Sequence, residues 1–274
     1  MNFISYLIIF IFGICVGSFL NCLIYRLETG QSFLRGRSFC PECRHKLGFF
    51  DLIPILSFII LKGKCRYCHQ RISFQYPIVE IATGLMFLLI FNFKLSPPAT
   101  SMLPGEVFRI LDLLYLLIVS CFLIVIFVYD LKHYIIPDKI IYPAIATALI
   151  FNYAQRSPAA LMLPGNISNF YSSILSAIGA AGFFFLLWLV SRGRYMGFGD
   201  VKLGFLIGLF LGWPSILVAM FSAFFIGAII GLGLIVLGKK TLKSQVPFGP
   251  FLVIGTFIAL FWGEKIIRWY LSLI

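Results

Sequence analysis

Long apolar stretches separated by short polar connections dominate the chain. Eight of these stretches predict membrane-spanning helices. They lie near residues 3–25, 76–93, 108–129, 138–153, 170–190, 201–212, 214–237 and 249–263. A helix needs roughly 20 apolar residues to cross a hydrocarbon layer of about 30 Å, and most of the stretches approach that length. The fourth and sixth are shorter, so these two are expected to tilt or to stop inside the bundle.

The composition supports a bilayer environment and excludes a soluble globular domain. Hydrophobic residues make up 61% of the chain and charged residues only 12%, which leaves too little polar surface to cover a water-soluble fold. The first apolar run, Phe3–Ile24, has no Lys or Arg before it and no small-residue cleavage pattern after it. It is therefore expected to be a retained span rather than a signal peptide. The predicted fold class is an all-α polytopic membrane protein.

The net charge of +12 follows from membrane topology. Seventeen of the 22 Lys and Arg residues lie in four alternate connections, at residues 26–75, 130–139, 191–202 and 238–248. Because basic loops stay on the cytoplasmic side, the pattern predicts an N-terminus outside and these four loops in the cytoplasm. Membrane lipid is an expected partner of such a protein. Nucleic acid is not expected as a partner, since topology already explains the positive charge.

The first loop contains two C-x-x-C pairs separated by 21 residues. The four thiols belong to Cys40, Cys43, Cys65 and Cys68. This spacing is typical of a structural zinc site in which two tight knuckles complete a tetrahedron. Two disulfides are the competing interpretation, but they rarely persist in a reducing cytoplasm. The sequence therefore predicts a small cytoplasmic zinc module at residues 26–75.

Two further features of this loop bear on the metal prediction. Residues 65–69 match the C-x-x-C-H string of covalent haem attachment, but that interpretation would leave the first cysteine pair without a role and is disfavoured in the cytoplasm. His45 and His69 are alternative metal ligands, although four thiols already suffice. The segment Phe49–Leu61 between the knuckles is apolar, too short to span and broken by Pro54, which predicts an interfacial or re-entrant piece.

Acidic residues are scarce, and those in or beside spans are candidates for function because charge is costly in lipid. Asp130 ends the third predicted span and Asp200 precedes the sixth, so the predicted topology places both at the cytoplasmic depth. Two carboxyl groups at one depth are what an aspartic peptidase needs, one ionised to activate water and one protonated to polarise the scissile carbonyl. Asp112 lies at the opposite end of the third span and is a poor partner for either.

The residues around Asp200 support the same interpretation. Gly197 and Gly199 are expected to let a substrate strand approach the acid and to accept conformations barred to other residues. The alternative is a glycine-rich turn in which Asp200 merely caps the next helix. Lys202, two residues after Asp200, is either a partner for a carboxylate or a lysine that only sets the topology.

Glu80 lies at the start of the second span. It is either a residue of the site or an acid that only stabilises the first turn of a helix.

Asp138 follows Pro137 at the start of the fourth span. An acid in the first turn of a helix complements the helix dipole, and proline suits the first helical position. The sequence therefore predicts a structural role for Asp138.

Several motifs occur in order along the chain. They are Gly17-Ser18-Phe19-Leu20-Asn21, the two cysteine pairs, Tyr76-Pro77-Ile78-Val79-Glu80, Asp130 followed by Ile136-Pro137-Asp138, Gly197-Phe198-Gly199-Asp200-Val201-Lys202-Leu203, and Pro247-Phe248-Gly249-Pro250-Phe251-Leu252. Together, from about residue 8 to residue 262, they resemble the type 4 prepilin peptidase family. The Gly-x-Gly-Asp and Tyr-Asp pairing is also similar to presenilin-like proteases.

The resemblance implies an activity and a location. It implies that Asp130 and Asp200 cleave the basic leader from type IV prepilins or type II secretion pseudopilins, after a glycine, at a bacterial inner membrane. It also implies that the new N-terminus is methylated with S-adenosylmethionine. The chain then divides into residues 1–25, the first span; residues 26–75, the zinc module; and residues 76–274, a transmembrane peptidase bundle.

Three alternative functions remain open on the sequence alone. One is a peptidase that lacks methyltransferase activity. Another is a small ion-coupled transporter, which predicts acids near span centres and symmetry between halves. The third is a non-enzymatic assembly factor that docks partners through its cysteine loop while the acids cap helices.

Overall fold

The computed structural model describes residues 3–32, 36–95, 105–154, 166–194, 196–238 and 246–273. Over these residues the chain is helical, and the predicted all-α class is confirmed. The helices are α1 Phe3–Thr29, α2 Leu56–Ile60, α3 Gln75–Leu95, α4 Gly105–His133, α5 Asp138–Ala154, α6 Asn166–Ser191, α7 Phe198–Leu211, α8 Ser215–Val236 and α9 Gly249–Leu271. The chain forms two compact units, Met1–Val125 and Ile126–Ile274, with the boundary inside α4.

All eight predicted spans occur as helices. Six of them are long and apolar enough to cross a membrane, namely α1, α3, α4, α6, α8 and α9. Less than half of each of these apolar stretches is buried within the protein, so much of the apolar surface faces outward, as expected in lipid. The remaining two, α5 with 17 residues and α7 with 14, are the short spans that the sequence indicated.

In the first unit, α1 packs along α3 through small residues. A Cβ on Gly17 would lie 2.7 Å from Cα of Glu80, and one on Gly13 would lie 2.8 Å from Cα of Gly84. Only a residue without a side chain permits this backbone approach, as in other closely packed membrane helices. Asn21 donates from Nδ2 to the carbonyl oxygen of Tyr76 at 3.0 Å, close to the start of α3. These contacts hold the first turns of α3 against α1.

The loop between α1 and α3 contains two similar cysteine knuckles. In the first, Cys40 N–H donates to the carbonyl oxygen of His45 at 3.0 Å; in the second, Cys65 N–H donates to that of Gln70 at 2.8 Å. Isolated β-bridges close both knuckles, from Phe39 to Lys46 and from Lys64 to Arg71. Within each knuckle the residue after the second cysteine has a positive φ, which lets the chain turn back tightly.

The apolar segment between the knuckles is short and broken, as its sequence indicates. A 3₁₀ turn at Phe49–Asp51 precedes α2, and Ile55 between them has a φ of 59°. Phe49, Phe50 and Ile60 are exposed. The interfacial location of this segment stays a prediction, as does the three-part division at residues 25 and 75. The compact first unit groups both flanking spans with the cysteine loop.

In the second unit, α7 is an inner helix. It packs against α5, α6 and α9, while α8 packs mainly along α9. Its buried side chains include Leu203, Leu206 and Ile207, whereas the flanking helices keep exposed apolar faces. The helix ends at Leu211 because Gly212 adopts a φ of 67° and Pro214 follows. Burial inside the unit explains why so short a segment is apolar from Leu203 to Leu211.

Candidate functional site

Asp130 lies in the last turns of α4, and its side chain is 4% exposed. Its carboxylate accepts a hydrogen bond from the backbone N–H of Gly249. Gly249 is the first residue of α9, and the N–H groups of a first helical turn have no partner within the helix. The N-terminus of α9 therefore offers this carboxylate both a donor and the positive end of a helix dipole.

Asp200 is the third residue of α7, and 8% of it is exposed. Its N–H donates to the carbonyl oxygen of Gly197 at 3.1 Å, and its carboxylate accepts the N–H of Gly197 in return. Gly197 is the N-cap of α7, so the carboxylate makes the reciprocal half of a capping box. The helix-capping role considered from the sequence is therefore present. Capping uses only part of the acceptor capacity of the carboxylate, so its remaining acceptor positions are available for catalysis.

Asp130 and Asp200 meet at one end of the second unit. Their carboxyl groups are close enough to repel each other when both are ionised. Ile136 lies against two glycines that adjoin the acids, since a Cβ on Gly199 would be 3.0 Å from Ile136 Cβ and a Cβ on Gly249 would be 3.5 Å from Ile136 Cδ1. Two buried carboxyl groups that repel each other disfavour the doubly ionised state, so this arrangement can supply one base and one acid.

The two glycines before Asp200 have different roles. Gly199 permits a close approach, because any Cβ there would press against Ile136. Gly197 has a φ of −78°, and a Cβ on it would lie 3.9 Å from Asp200 Oδ2, which is ordinary contact. The expectation that Gly197 and Gly199 adopt conformations barred to other residues is therefore wrong: Gly199 lies within α7, and both backbones have ordinary dihedral angles.

Lys202 pairs with Asp138 rather than with either buried aspartate. Its Nζ lies 2.5 Å from Oδ1 of Asp138 and sits over the rings of Tyr142 and Phe198, at 4.9 and 5.6 Å from their centroids. Asp138 is the first residue of α5, as its sequence context indicates. The pair joins the N-terminal turns of α5 and α7 and thereby supports the segment that carries Asp200.

Glu80 lies in the first unit, on α3, and is 6% exposed. Its Oε2 accepts the N–H of Ile55 at 2.7 Å, and the carboxylate also accepts the hydroxyl of Ser18. These bonds connect the middle of the cysteine loop to α1 and α3. Glu80 is therefore part of the structure that holds this loop.

The four loop cysteines are brought together as predicted. One Sγ atom from each of Cys40, Cys43, Cys65 and Cys68 lies within 4.8 Å of the others. Sγ of Cys40 and Sγ of Cys68 are 3.8 Å apart, which matches the edge of a tetrahedron with metal–sulfur bonds of roughly 2.3 Å. The residues present therefore fit a four-thiolate metal site.

The knuckle backbone also favours thiolate at Cys65. Burial raises the pKa of the Cys65 thiol, but hydrogen bonds from the backbone N–H groups of Cys68 and Tyr67 and from the thiols of Cys68 and Cys40 together lower the pKa to about 7. His45 stacks on Tyr67 with ring centroids 3.7 Å apart. Among the described residues of this loop, the group that could hold a metal ion consists of the four thiols, without either histidine.

Two residues near the aspartates were not recognised from the sequence as individual site candidates. Gly249 donates to Asp130, and Ile136 packs against Gly199 and Gly249. In the sequence they appeared only as members of family motifs. A usable signal was present for Gly249: a glycine followed by Pro250 at a helix start marks an N-terminus whose free N–H groups need an acceptor.

Comparisons with known proteins agree with the division of the chain into two compact units. Residues 11–93 match the bacterial peptidase A24 N-terminal domain, which covers the four cysteines and Glu80. Residues 117–232 match the type IV leader peptidase family, which covers Asp130 and Asp200. No solved structure matches the chain.

Similar proteins cover almost the whole chain. A prepilin leader peptidase/N-methyltransferase of Bacillus subtilis (strain 168) is 34% identical, over 97% of this chain and 98% of its own length. A protein of the same name from Aeromonas salmonicida (strain A449) is 31% identical, over 97% of this chain and 94% of its own length. A third protein of this name, from Pseudomonas aeruginosa, is 27% identical, over 95% of this chain and 91% of its own length. With this identity over nearly its full length, and with both domain models matched in order, the chain belongs to the type IV leader peptidase family.

Proposed function

We propose that the chain is an aspartic endopeptidase with Asp130 and Asp200 as its catalytic pair. Its substrates are type IV prepilins or type II secretion pseudopilins, from which it removes the basic leader. The observation that carries the proposal is the pair of buried carboxyl groups at one end of the second unit, each held by a glycine N–H. A helix-capping role for Asp200 alone would not require a second buried acid near it.

The chemistry follows from one shared proton. The ionised carboxylate takes a proton from a water molecule, which attacks the scissile carbonyl carbon, while the protonated carboxyl group donates a hydrogen bond to the carbonyl oxygen. The resulting tetrahedral species collapses when the peptide nitrogen is protonated and leaves. Hydrogen bonds from Gly197 and Gly249 fix the two carboxyl groups, so little reorganisation is needed in the transition state.

The charge of the loops supports a cytoplasmic site in a bacterial inner membrane. Asp130 and Asp200 adjoin the connections at residues 130–139 and 191–202, two of the four basic loops. A substrate with a basic leader in the cytoplasm and an apolar segment in lipid presents its junction at that depth. The zinc module would then lie on the same side of the membrane.

A second activity is part of the proposal. The relatives are named as N-methyltransferases as well as peptidases, so we infer that the new N-terminus is methylated, with S-adenosylmethionine as donor. We also infer that the four-thiolate cluster holds a structural zinc ion, which ties the two knuckles together.

The test of the catalytic pair is leader removal by detergent-purified variants. Asp130→Asn and Asp200→Asn keep the size of the side chain but cannot ionise, so each should lower the cleavage rate by about a thousandfold or more. The double variant should be little worse, because the two groups act as one unit. Glu at either position should rescue poorly, since an added methylene moves the carboxylate by more than the roughly 0.5 Å that preorganised sites tolerate.

Two matched aspartates serve as controls. Asp112→Asn and Asp138→Asn should retain substantial cleavage, since neither is part of the buried pair. Near-normal cleavage by Asp130→Asn or Asp200→Asn, in protein that elutes as a single folded species, would rule out the mechanism. It would favour the non-enzymatic assembly factor.

A further inference from the structure

The first unit contains a cavity of about 360 Å³. It lies between the cysteine module and the adjoining ends of α1 and α3, and it is lined only by residues between Ser18 and Glu80. This volume falls within the roughly 300–1,000 Å³ typical of small-molecule sites. None of its walls comes from the unit that contains Asp130 and Asp200, so the proposed cleavage chemistry leaves the cavity without a role.

Glu80 gives the cavity a buried anionic group. A carboxylate offers about four acceptor positions, and Glu80 uses two of them for the N–H of Ile55 and the hydroxyl of Ser18. Burying a charged group is costly unless its hydrogen bonds are made. The remaining positions therefore favour a ligand that brings hydroxyl donors or a positive charge.

Two other acids line the cavity: Glu42, which is exposed to solvent, and Asp51, whose carboxylate is already occupied. Asp51 accepts from Nε of Arg66 at 2.7 Å, from the N–H of Gly48 at 3.0 Å and from the hydroxyl of Tyr67 at 3.4 Å. Asp51 thus bonds to other residues of the cysteine module and has few acceptor positions left for a ligand. Glu80 is therefore the buried acid of this wall that has acceptor positions left for a ligand.

The remaining walls combine flat apolar surface with fixed positive charge. Tyr25, Phe58 and Tyr76 supply aromatic surface, and Arg37 and Arg71 also line the cavity. Aromatic rings accept a planar base or the face of a cation. A guanidinium group matches a carboxylate with two parallel hydrogen bonds. The matching ligand has a planar base, hydroxyl donors, a positive centre and a carboxylate.

We propose that this cavity binds S-adenosylmethionine and is the donor site for methyl transfer, an inference that rests on the second activity proposed above. The ribose hydroxyls donate to Glu80, as they do to the acidic residue of dinucleotide sites. The adenine ring lies on the aromatic walls, and the sulfonium is attracted by the same carboxylate and rings. The carboxylate of the methionine part pairs with an arginine of the wall.

The transfer step is a simple displacement. The N-terminal ammonium of the cleaved substrate first loses a proton to water. The nitrogen lone pair then forms a bond to the methyl carbon while the carbon–sulfur bond breaks, and its electron pair stays on sulfur. The products are the N-methylated, again positively charged, terminus and neutral S-adenosylhomocysteine. No oxidant, reductant or further co-reactant is required.

Equilibrium binding of tritiated S-adenosylmethionine to the purified full chain tests the proposal without any pilin substrate. Glu80→Gln keeps the shape but removes the charge, so affinity should fall at least about tenfold, as expected for a hydrogen bond to a buried charged group. Glu28→Gln is the matched control, because Glu28 belongs to the same unit but does not line the cavity. It should bind the donor as the unchanged chain does. Single-species elution and metal content report folding.

A second measurement does not depend on the Glu80 variant. Ultraviolet crosslinking of the tritiated donor to the unchanged chain, followed by peptide mapping, should label residues between 18 and 80. Ser57→Trp, which places a bulky ring at the cavity wall, should prevent that labelling. Unchanged affinity in Glu80→Gln, labelling of the second unit, or absence of binding at 1 mM donor would each overturn the proposal. Leader cleavage by the same preparation reports the peptidase function separately.

Discussion

A Cβ on Gly249 would lie 2.5 Å from Oδ2 of Asp130, closer than side-chain atoms approach in proteins. The same glycine donates its N–H to that carboxylate. The first residue of α9 is therefore fixed against one of the two buried acids, and a side chain there would displace the carboxyl group. In this way the start of α9 sets the position of a group that belongs to α4.

We therefore predict that Gly249→Ala lowers the rate of leader cleavage by at least about tenfold. The added methyl group pushes the Asp130 carboxyl away from its donor, and misplacement by about 1 Å can cost roughly a hundredfold in rate. The loss should be in kcat rather than in KM, because the change is at the reacting groups and not at the surface that holds the substrate. Rates measured over a range of prepilin concentrations separate the two constants.

Gly231→Ala is the matched control for this change. Gly231 lies in α8, and apart from the adjacent backbone of that helix no atom of the described residues lies within 4 Å of the Cβ that alanine would add. The control should cleave as the unchanged chain does. If Gly249→Ala, folded and monodisperse, also cleaved at the normal rate, the carboxyl of Asp130 would not depend on the start of α9.

The sequence was informative wherever the spacing along the chain determines the structure. The two cysteine pairs predict a four-thiolate cluster because each knuckle is local, and the depth of Asp130 and Asp200 follows from counting spans. The pairing of Lys202 with Asp138 was not predictable, since it depends on how α5 packs against α7. The role of Gly249 likewise depends on the contact of α9 with the end of α4, 119 residues earlier in the chain.

The function of the cysteine loop was only partly accessible for the same reason. Its metal ligands are visible as a motif, whereas the cavity beside them forms only when the loop folds against α1 and α3. Glu80 illustrates the difference. In the sequence it is an acid at the start of a span, and its bond to Ile55, 25 residues away, appears only in the folded unit.

We predict one zinc ion per chain, held by the four loop cysteines. Thiolate ligands and tetrahedral spacing favour zinc, and knuckle N–H groups already stabilise the charge on the sulfur of Cys65. Elemental analysis of protein purified without added metal should find close to one zinc atom per chain. Cys40→Ser should lose most of it.

Cys15→Ser is the control for the metal prediction, because Cys15 lies in α1 outside the cluster. It should keep the full zinc content. The prediction fails if the unchanged chain holds less than about three tenths of a zinc atom, and if removing Cys40 makes no difference.

We predict that the connections after α1, α4, α6 and α8 face the cytoplasm, because these loops hold most of the Lys and Arg. Single cysteines at positions 35 and 240, in a chain with its own cysteines replaced, should stay unlabelled by an impermeant thiol reagent in intact cells. Both positions lie outside the residues that the structure describes. Labelling after permeabilisation shows that the cysteines are reactive. Labelling in intact cells would mean that the orientation is the opposite one, with the aspartate pair on the other side of the membrane.

The last prediction concerns the independence of the two activities. Asp200 and Glu80 belong to different compact units, and the cavity is lined by residues of the first unit alone. Asp200→Ala should therefore abolish leader cleavage while a pre-cleaved substrate is still methylated at close to the normal rate. Mass spectrometry measures both reactions directly, as loss of the leader and as gain of one methyl group.

The matched variant for this experiment is Glu80→Gln, which removes the buried charge from the proposed donor cavity. It should slow methylation of the same pre-cleaved substrate by at least about tenfold, since the donor loses a hydrogen bond to a buried charged group. Loss of both activities in folded Asp200→Ala protein would mean that one site serves both reactions. Normal methylation by Glu80→Gln would instead place the donor elsewhere and leave the proposed aspartate pair untouched, because cleavage does not require S-adenosylmethionine.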